Sequence, residues 1–361
     1  MTAPLWSPLP DAPAFPASGY ALLADALARF LGTRNDVLLI QAEAVVALEA
    51  TATSLGRPGL RALNVVTSIY GRWFGAWLRR AGAEVLDLTA PPGEPITAAA
   101  IAQALGSASV DLVALVHAES AYGILNPLEE TAALARAHGA LLVVDAVASF
   151  GGHALDVDAL GIDVAVIGPQ KALGGQAGVS AVAVSPAAWS RMAPPGEAPS
   201  ILSLADQRAL WLETGRGELP GTPSALEFHA LAQTLARVEA EGLAAIQARH
   251  RRAAAAARAG AEALTGRTLL PAERASNLVT AIALPDGLDA GRVLAAAAPG
   301  HALMAGIGPT GDGYLRLNHT GPRARLETVL GDLATLGRAL AAVGAPADIA
   351  AALAAAEAAG R

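Results

Sequence analysis

The strongest constraint on the fold is a repeated alternation along the chain. Short, continuous apolar runs rich in branched residues recur at Val37–Ile40, Leu63–Val66, Val85–Leu88, Leu112–Val116, Leu141–Val144, Val164–Ile167 and Val179–Val184. Uninterrupted runs of this kind suit strands buried on both faces, whereas a strand with one wet face alternates apolar and polar residues. Segments with helical character lie between the earlier runs, including 72–81, 98–105 and 129–137. Strand, helix and strand in succession build a mainly parallel sheet covered by helices. The last runs sit too close together to leave a helix between every pair, so some antiparallel pairing is expected there.

The rest of the chain changes character. Residues 1–18 are rich in Pro and Ala without periodicity, which predicts an irregular arm. Segment 225–264 reads as one or two long helices. A run at 278–283, a helix near 288–298, a run at 314–318 and a helix at 324–342 then predict a smaller α+β unit. The Ala-rich, weakly amphipathic end reads as a frayed terminal helix. The expected organisation is therefore an arm (1–18), a large α/β domain (19–240), a small α+β domain (241–345) and a tail (346–361).

Composition narrows the function classes. The 361 residues are 53% hydrophobic and 16% charged, enough for a large core. The mean hydropathy of +0.42 reflects Ala content, because every apolar stretch is broken before the ~18 residues of a spanning helix. Met1–Trp6 shows no basic segment leading into an apolar one, and a cytoplasmic location is expected. With no cysteine, thiol catalysis and thiolate metal sites are excluded. His117-Ala118-Glu119 therefore lacks the partner motif of a zinc deaminase, the seven His show no ligand spacing, and no metal is expected. A net charge of −7 without a basic block argues against nucleic acid. Arg249, Arg251 and Arg252 read as the solvated face of a helix.

Of the 25 basic residues, 24 are Arg and one, Lys171, is Lys. Guanidinium stays protonated and cannot replace a nucleophilic amine, so a lone Lys in an Arg-rich chain points to amine chemistry. Open α/β sheets bind ligands beyond the carboxyl ends of their strands. Leu141–Val144 runs into Asp145, and Val164–Ile167 runs into Gly168-Pro169-Gln170-Lys171. An amine and an acid around one crevice suit Schiff-base chemistry on a pyridine ring, whose nitrogen the carboxylate keeps protonated. Taken singly, Asp145 also reads as a turn or cap residue and Lys171 as a surface charge.

The stretch Val143-Val144-Asp145-Ala146-Val147-Ala148-Ser149-Phe150-Gly151-Gly152, then Gly161-Ile162-Asp163, then Gly168-Pro169-Gln170-Lys171-Ala172-Leu173 resembles the class V branch of the fold type I pyridoxal-phosphate aminotransferases, in particular its alanine–glyoxylate and serine–pyruvate group. The similarity extends from about residue 35 to 340. It implies a Schiff base at Lys171, which also serves as base and acid of the proton shift. It further implies Asp145 at the ring nitrogen, Val147 against the ring and Gln170 beside the cofactor. Tyr70 matches the stacking aromatic, with a core tyrosine as the alternative. Ser120 matches a hydroxyl that meets the ring oxygen, and an ordinary turn serine is the alternative. Arg316 matches the carboxylate clamp. Family members are homodimers, and Thr222 matches a phosphate-side residue given across the interface, unless it caps a helix.

The chain also departs from the family pattern. Where a phosphate-holding member has a small Gly/Ser-rich turn before its first large-domain helix, this chain reads Ile40-Gln41-Ala42-Glu43-Ala44-Val45. At about 4 Å, Glu43 and a phosphate would repel by on the order of 4 kcal/mol per unit charge at an effective dielectric near 20. Alternatively, Glu43 only complements a helix N-terminus. Glu43, Val45, Leu48, Glu49 and Ala50, with Tyr70-Gly71 and Phe74-Gly75-Ala76-Trp77, are similar to the pyridoxamine–pyruvate aminotransferase branch, which uses unphosphorylated pyridoxamine and pyridoxal. Ile307 stands where that branch has a second Arg, and its N-terminal Gly-Pro segment is not recognisable here. The expected function is a transaminase moving an amino group between an alanine-like amino acid and pyruvate or glyoxylate, with unphosphorylated pyridoxal or pyridoxamine as substrate. The alternatives are a conventional enzyme holding pyridoxal 5'-phosphate, and a catalytically idle relative that binds a small molecule or dimerises.

Overall fold

The computed structural model describes residues 13–308 and 310–361. The expected arm at 1–18 falls mostly outside them, and Ala17 and Ser18 already belong to helix α1 (Ala17–Leu31). This helix starts after Pro16, ends at Gly32 in the left-handed region (φ 62), and buries Tyr20, Leu23, Ala24, Leu27 and Leu31 along one face.

The apolar runs form strands β1 (Asp36–Ile40), β2 (Arg61–Val66), β3 (Glu84–Thr89), β4 (Leu112–Val116), β5 (Leu141–Asp145), β6 (Val164–Ile167) and β7 (Ser180–Val184). They make one sheet in the order β1-β7-β6-β5-β4-β2-β3. The pairs β2–β3, β2–β4, β4–β5 and β5–β6 are parallel. Only β7 runs against its neighbours, β1 and β6. Between strands lie α2 (Ala44–Leu55), α3 (Ile69–Arg80), α4 (Ala98–Ser107), α5 (Leu128–Ala137) and the one-turn α6 (Val157–Leu160).

Contrary to expectation, Val85–Leu88 is not buried on both faces. β3 is one of the two edge strands and none of its residues is fully buried, with Leu86 46% exposed. An apolar run does not report whether a neighbour pairs beyond it.

After β7 come the one-turn helices α7 (Pro186–Trp189) and α8 (Leu204–Gln207), then α9 (Ala225–Glu241) and α10 (Leu243–Thr265), separated by Gly242. A second, antiparallel sheet has the order β8-β10-β9, formed by β8 (Val279–Ala283), β9 (Leu303–Ala305) and β10 (Tyr314–Asn318). It is covered by α10 with α11 (Ala290–Ala296), α12 (Leu326–Ala342) and α13 (Ile349–Ala359). The apolar core divides within α10, where Ile246 belongs to the core of the large sheet and Ala253 onward to that of the small one. The terminal helix is not frayed. Ala352 and Ala356 are fully buried, and Ala356 packs beside Gly260 of α10.

Among the described residues no helix is long and apolar enough to cross a membrane.

Candidate active site

Because β2, β4, β5 and β6 are parallel and β1 points the same way, their carboxyl ends share one edge of the sheet. Five loops leave that edge, carrying Glu43, Tyr70, Ser120, Asp145 and Lys171. They converge on one cleft, which is also lined by Ala44, Val45, Leu48, Val116, Ala118, Glu119, Val147 and Ala148.

Asp145 closes β5 and is 9% exposed. Its Oδ1 accepts the N–H of Val147 at 3.0 Å. Desolvation pushes its carboxyl up to about 6, Glu43 adds to the rise, and the Val147 N–H and the Lys171 charge oppose it. A buried acid held this uneasily gains from a positive partner in the cleft. A protonated pyridine nitrogen is such a partner, so the ring end of a pyridoxal-type cofactor fits. Tyr70 sits on the first turn of α3 and meets Trp73 edge-on at 5.5 Å between ring centroids. Burial, then the charges of Glu43 and Asp145, raise its hydroxyl pKa, while Arg316 opposes them.

Lys171 projects from the turn after β6, and β6 and β7 anchor both ends of that turn. It lines a second cavity of about 260 Å3 that continues the cleft, bounded by Gln170, Ser276, Met304, Arg316, Asn318 and Thr320 among others. Arg316 lies on the central strand of the small sheet and is 8% exposed. Its Nε donates to the Ala305 carbonyl at 2.9 Å and its Nη1 to the Ser120 carbonyl at 3.1 Å. A buried guanidinium held by neutral carbonyls keeps charge available for an anion.

Glu43 is the N-cap of α2. Its Oε2 accepts the N–H of Val45 at 2.8 Å, and its Oε1 accepts Gln170 Nε2 at 2.7 Å. The position where a helix N-terminus would bind an outside anion is thus already filled by a carboxylate of the chain. Glu43 therefore caps the helix and also lines the cleft. The repulsion it offers a phosphate is smaller than expected. The side chain is exposed, water screens it, and about 1 kcal/mol per unit charge at 4 Å is the appropriate scale.

Two residues stand apart. Thr222 is exposed on the loop before α9 and does not line the cleft of its own chain; the cap position of α9 is Ser224. Ile307 is 42% exposed and lines neither cavity, so no second arginine joins Arg316 from that position. Glu119 escaped the sequence reading. It is 2% exposed and accepts the N–H groups of Ala121, Tyr122 and Ile124, each at 2.8 Å, which fixes the loop that carries Ser120. Its place beside Ser120 was the available signal, masked by the resemblance of His117-Ala118-Glu119 to a metal motif.

Comparison with known proteins agrees with this geometry. The family model described as aminotransferase class-V matches residues 21–300. The chain is 35% identical over 332 residues to the pyridoxamine–pyruvate transaminase of Mesorhizobium japonicum, covering 90% of this chain and 84% of that one. It is 32% identical over 311 residues to the alanine–glyoxylate aminotransferase of Callithrix jacchus, covering 84% and 74%. Among solved structures, pyridoxamine–pyruvate aminotransferase from Mesorhizobium loti is similar with a TM-score of 0.87 and 33% identity, over 95% of this chain and 88% of that one. Ureidoglycine–glyoxylate aminotransferase from Bacillus subtilis follows with a TM-score of 0.85 and 26% identity, over 97% and 92%. A single amine and a buried acid at neighbouring strand ends are what such enzymes require, and the chain belongs to the class V aminotransferases, enzymes that work with a pyridoxal-type cofactor.

Proposed function

We propose that this aminotransferase transfers an amino group between unphosphorylated pyridoxamine and a small 2-oxo acid such as pyruvate, the reverse direction using an alanine-like amino acid and pyridoxal. The observation that carries this reading is the Glu43 carboxylate, which spans the α2 N-terminus and Gln170 where a phosphate would need both. The names of the relatives in Mesorhizobium support the same choice.

In this reading Asp145 holds a proton at the ring nitrogen, and Tyr70 and Val147 confine the ring. When bound, the ring supplies an electron sink for the negative charge left at the amino acid Cα. Lys171 Nζ would hold the aldehyde carbon of the ring and, once the amino acid has displaced it, would take the Cα proton and deliver it to that carbon. Ser120 orients the ring hydroxyl, and Arg316 fixes the substrate carboxylate so that the Cα hydrogen faces Lys171. Without a second arginine, the apolar Met304 and Leu278 beside Arg316 favour a short substrate with one carboxylate. We further propose that the enzyme acts as a homodimer in which Thr222 serves the cleft of the other copy.

The test is an absorbance titration of the purified protein with pyridoxal and, separately, with pyridoxal 5'-phosphate, followed by borohydride reduction and peptide mapping. Pyridoxal alone should give a visible band and a reduced adduct on Lys171. Tighter binding of the phosphate ester would favour a conventional enzyme, and no adduct with either would leave an idle relative.

A further inference from the structure

The segment that carries the clamp also touches the lysine turn. From Arg316 the chain runs through Asn318, where β10 ends, and Thr320, both lining the substrate cavity, to Gly321. Gly321 is buried with φ +57, and a Cβ there would stand 2.9 Å from the Lys171 carbonyl oxygen and 3.0 Å from Gly174 Cα. These are backbone atoms of the lysine turn, which the N–H of Gly174 closes by donating to that same carbonyl at 3.0 Å. Pro322 seats beside it, where a Cβ on Gly174 would lie 2.7 Å from Pro322 Cδ. Only glycine permits so close an approach in this conformation.

Both peptide groups of Gly321 are gripped from α10. His250 Nε2 accepts the Gly321 N–H at 3.0 Å, and Arg249 Nη1 donates to the Gly321 carbonyl at 2.6 Å. His250 is fully buried and its Nδ1 faces the Ile246 carbonyl at 2.8 Å, so the ring donates from Nδ1 and accepts at Nε2. Arg249 is itself oriented by a two-point pair with Glu241 at 2.7 and 3.2 Å. This corrects the expectation of a solvated face at Arg249, while Arg251 and Arg252 are exposed.

We propose that His250 and Arg249 are positioning residues for the substrate. By holding Gly321 against the lysine turn, they set the distance between the Lys171 amine and the Arg316 guanidinium, and so favour an amine that carries a carboxylate on the same carbon. This inference rests on the function proposed above for the roles of Lys171 and Arg316. Apart from Lys171, the groups proposed to hold the ring, among them Asp145, Tyr70 and Val147, belong to the large sheet, so ring binding should depend on the grip far less than the choice of amine does.

The test compares the wild type with Gly321→Ala, His250→Leu and His250→Gln. Three readouts are needed: pyridoxal affinity from the visible band, amide hydrogen exchange of peptides covering 168–175 and 319–323, and single-turnover rates of the pyridoxal-loaded protein with L-alanine and with ethylamine, which lacks the carboxylate. His250→Leu and Gly321→Ala should keep pyridoxal affinity within about twofold, exchange faster in both peptides, and lose about tenfold or more of the preference for L-alanine. His250→Gln, which restores an acceptor, should recover most of that preference. If Gly321→Ala does not fold, Arg249→Met takes its place. Faster exchange with an intact preference, or equal losses for both amines, would overturn the inference. A wild type with no adduct or no preference for L-alanine would instead overturn the proposed function.

Discussion

At the scale of single residues, the proposed choice of ring form rests on Glu43. Changing Glu43→Gln keeps a side-chain oxygen for the Val45 N–H and removes the charge. Because the site is wet, the relief is about 1 kcal/mol per phosphate charge, so affinity for pyridoxal 5'-phosphate relative to pyridoxal should rise about tenfold. Parallel absorbance titrations check this, and an unchanged ratio would show that charge at this position does not select the ring form. Asp145 has a different weight because it is buried. Asp145→Asn keeps its shape but cannot hold the ring nitrogen protonated, so turnover should drop by about 100-fold or more with little change in melting temperature. A variant that unfolds, or one that retains full turnover, would remove Asp145 from that role.

At the scale of elements, the strands were legible because a buried parallel strand is written as an unbroken apolar run, and their carboxyl ends then located Asp145 and Lys171. Strand pairing was less legible. The close spacing of the last runs did signal antiparallel pairing, which β7 makes, but Val85–Leu88 looks buried and forms an edge. Arg316 was legible through its apolar neighbours Leu315 and Leu317, whereas the grip on Gly321 was not, since Arg249 and His250 are about 70 positions away from it. α13 was misread for a related reason. Alanines give a weak periodic signal, yet they allow α13 to lie against α10 at Gly260, where an added Cβ would run into Leu333 Cδ1 and stand 3.2 Å from both the Ala352 carbonyl oxygen and Ala356 Cβ. Overpacking of this kind costs about 1–3 kcal/mol, so Gly260→Val should lower stability by that amount in denaturant unfolding. A neutral result would mean that the tail helix yields freely and contributes little to the core of the small sheet.

At the scale of the whole molecule, four histidines taken largely out of water, one of them joined across the two sheets through Asn277, make stability depend on pH. His117 lies 5.7 Å from His153 between ring centroids. His153 Nε2 accepts the Asn277 N–H at 3.0 Å, His250 Nε2 accepts from Gly321, and His319 Nε2 meets Thr280 Oγ1 at 2.9 Å. Burial depresses His117 and His250 to about 4, and His153 and His319 to about 3, below the ordinary 6.5. Between these values the unfolded chain takes up protons that the folded chain refuses, so stability present above pH 6.5 is lost as pH falls. Asp145, raised to about 6, and Glu119, raised by burial, act in the opposite sense, because the folded chain binds their protons first. Four histidines against Asp145 and some part of Glu119 leave a net of about two to three protons near pH 5, or about 3–4 kcal/mol per pH unit. Exposed ion pairs such as Arg29–Glu239 add little. A domain's whole stability is about 5–15 kcal/mol, so thermal scans should show the melting temperature falling steeply from pH 6.5 toward 4.5. His319→Gln should flatten that slope by about one proton, or about 1.4 kcal/mol per pH unit. A melting temperature that stays level between pH 7 and pH 5 would show that these histidines accept protons without loss of stability.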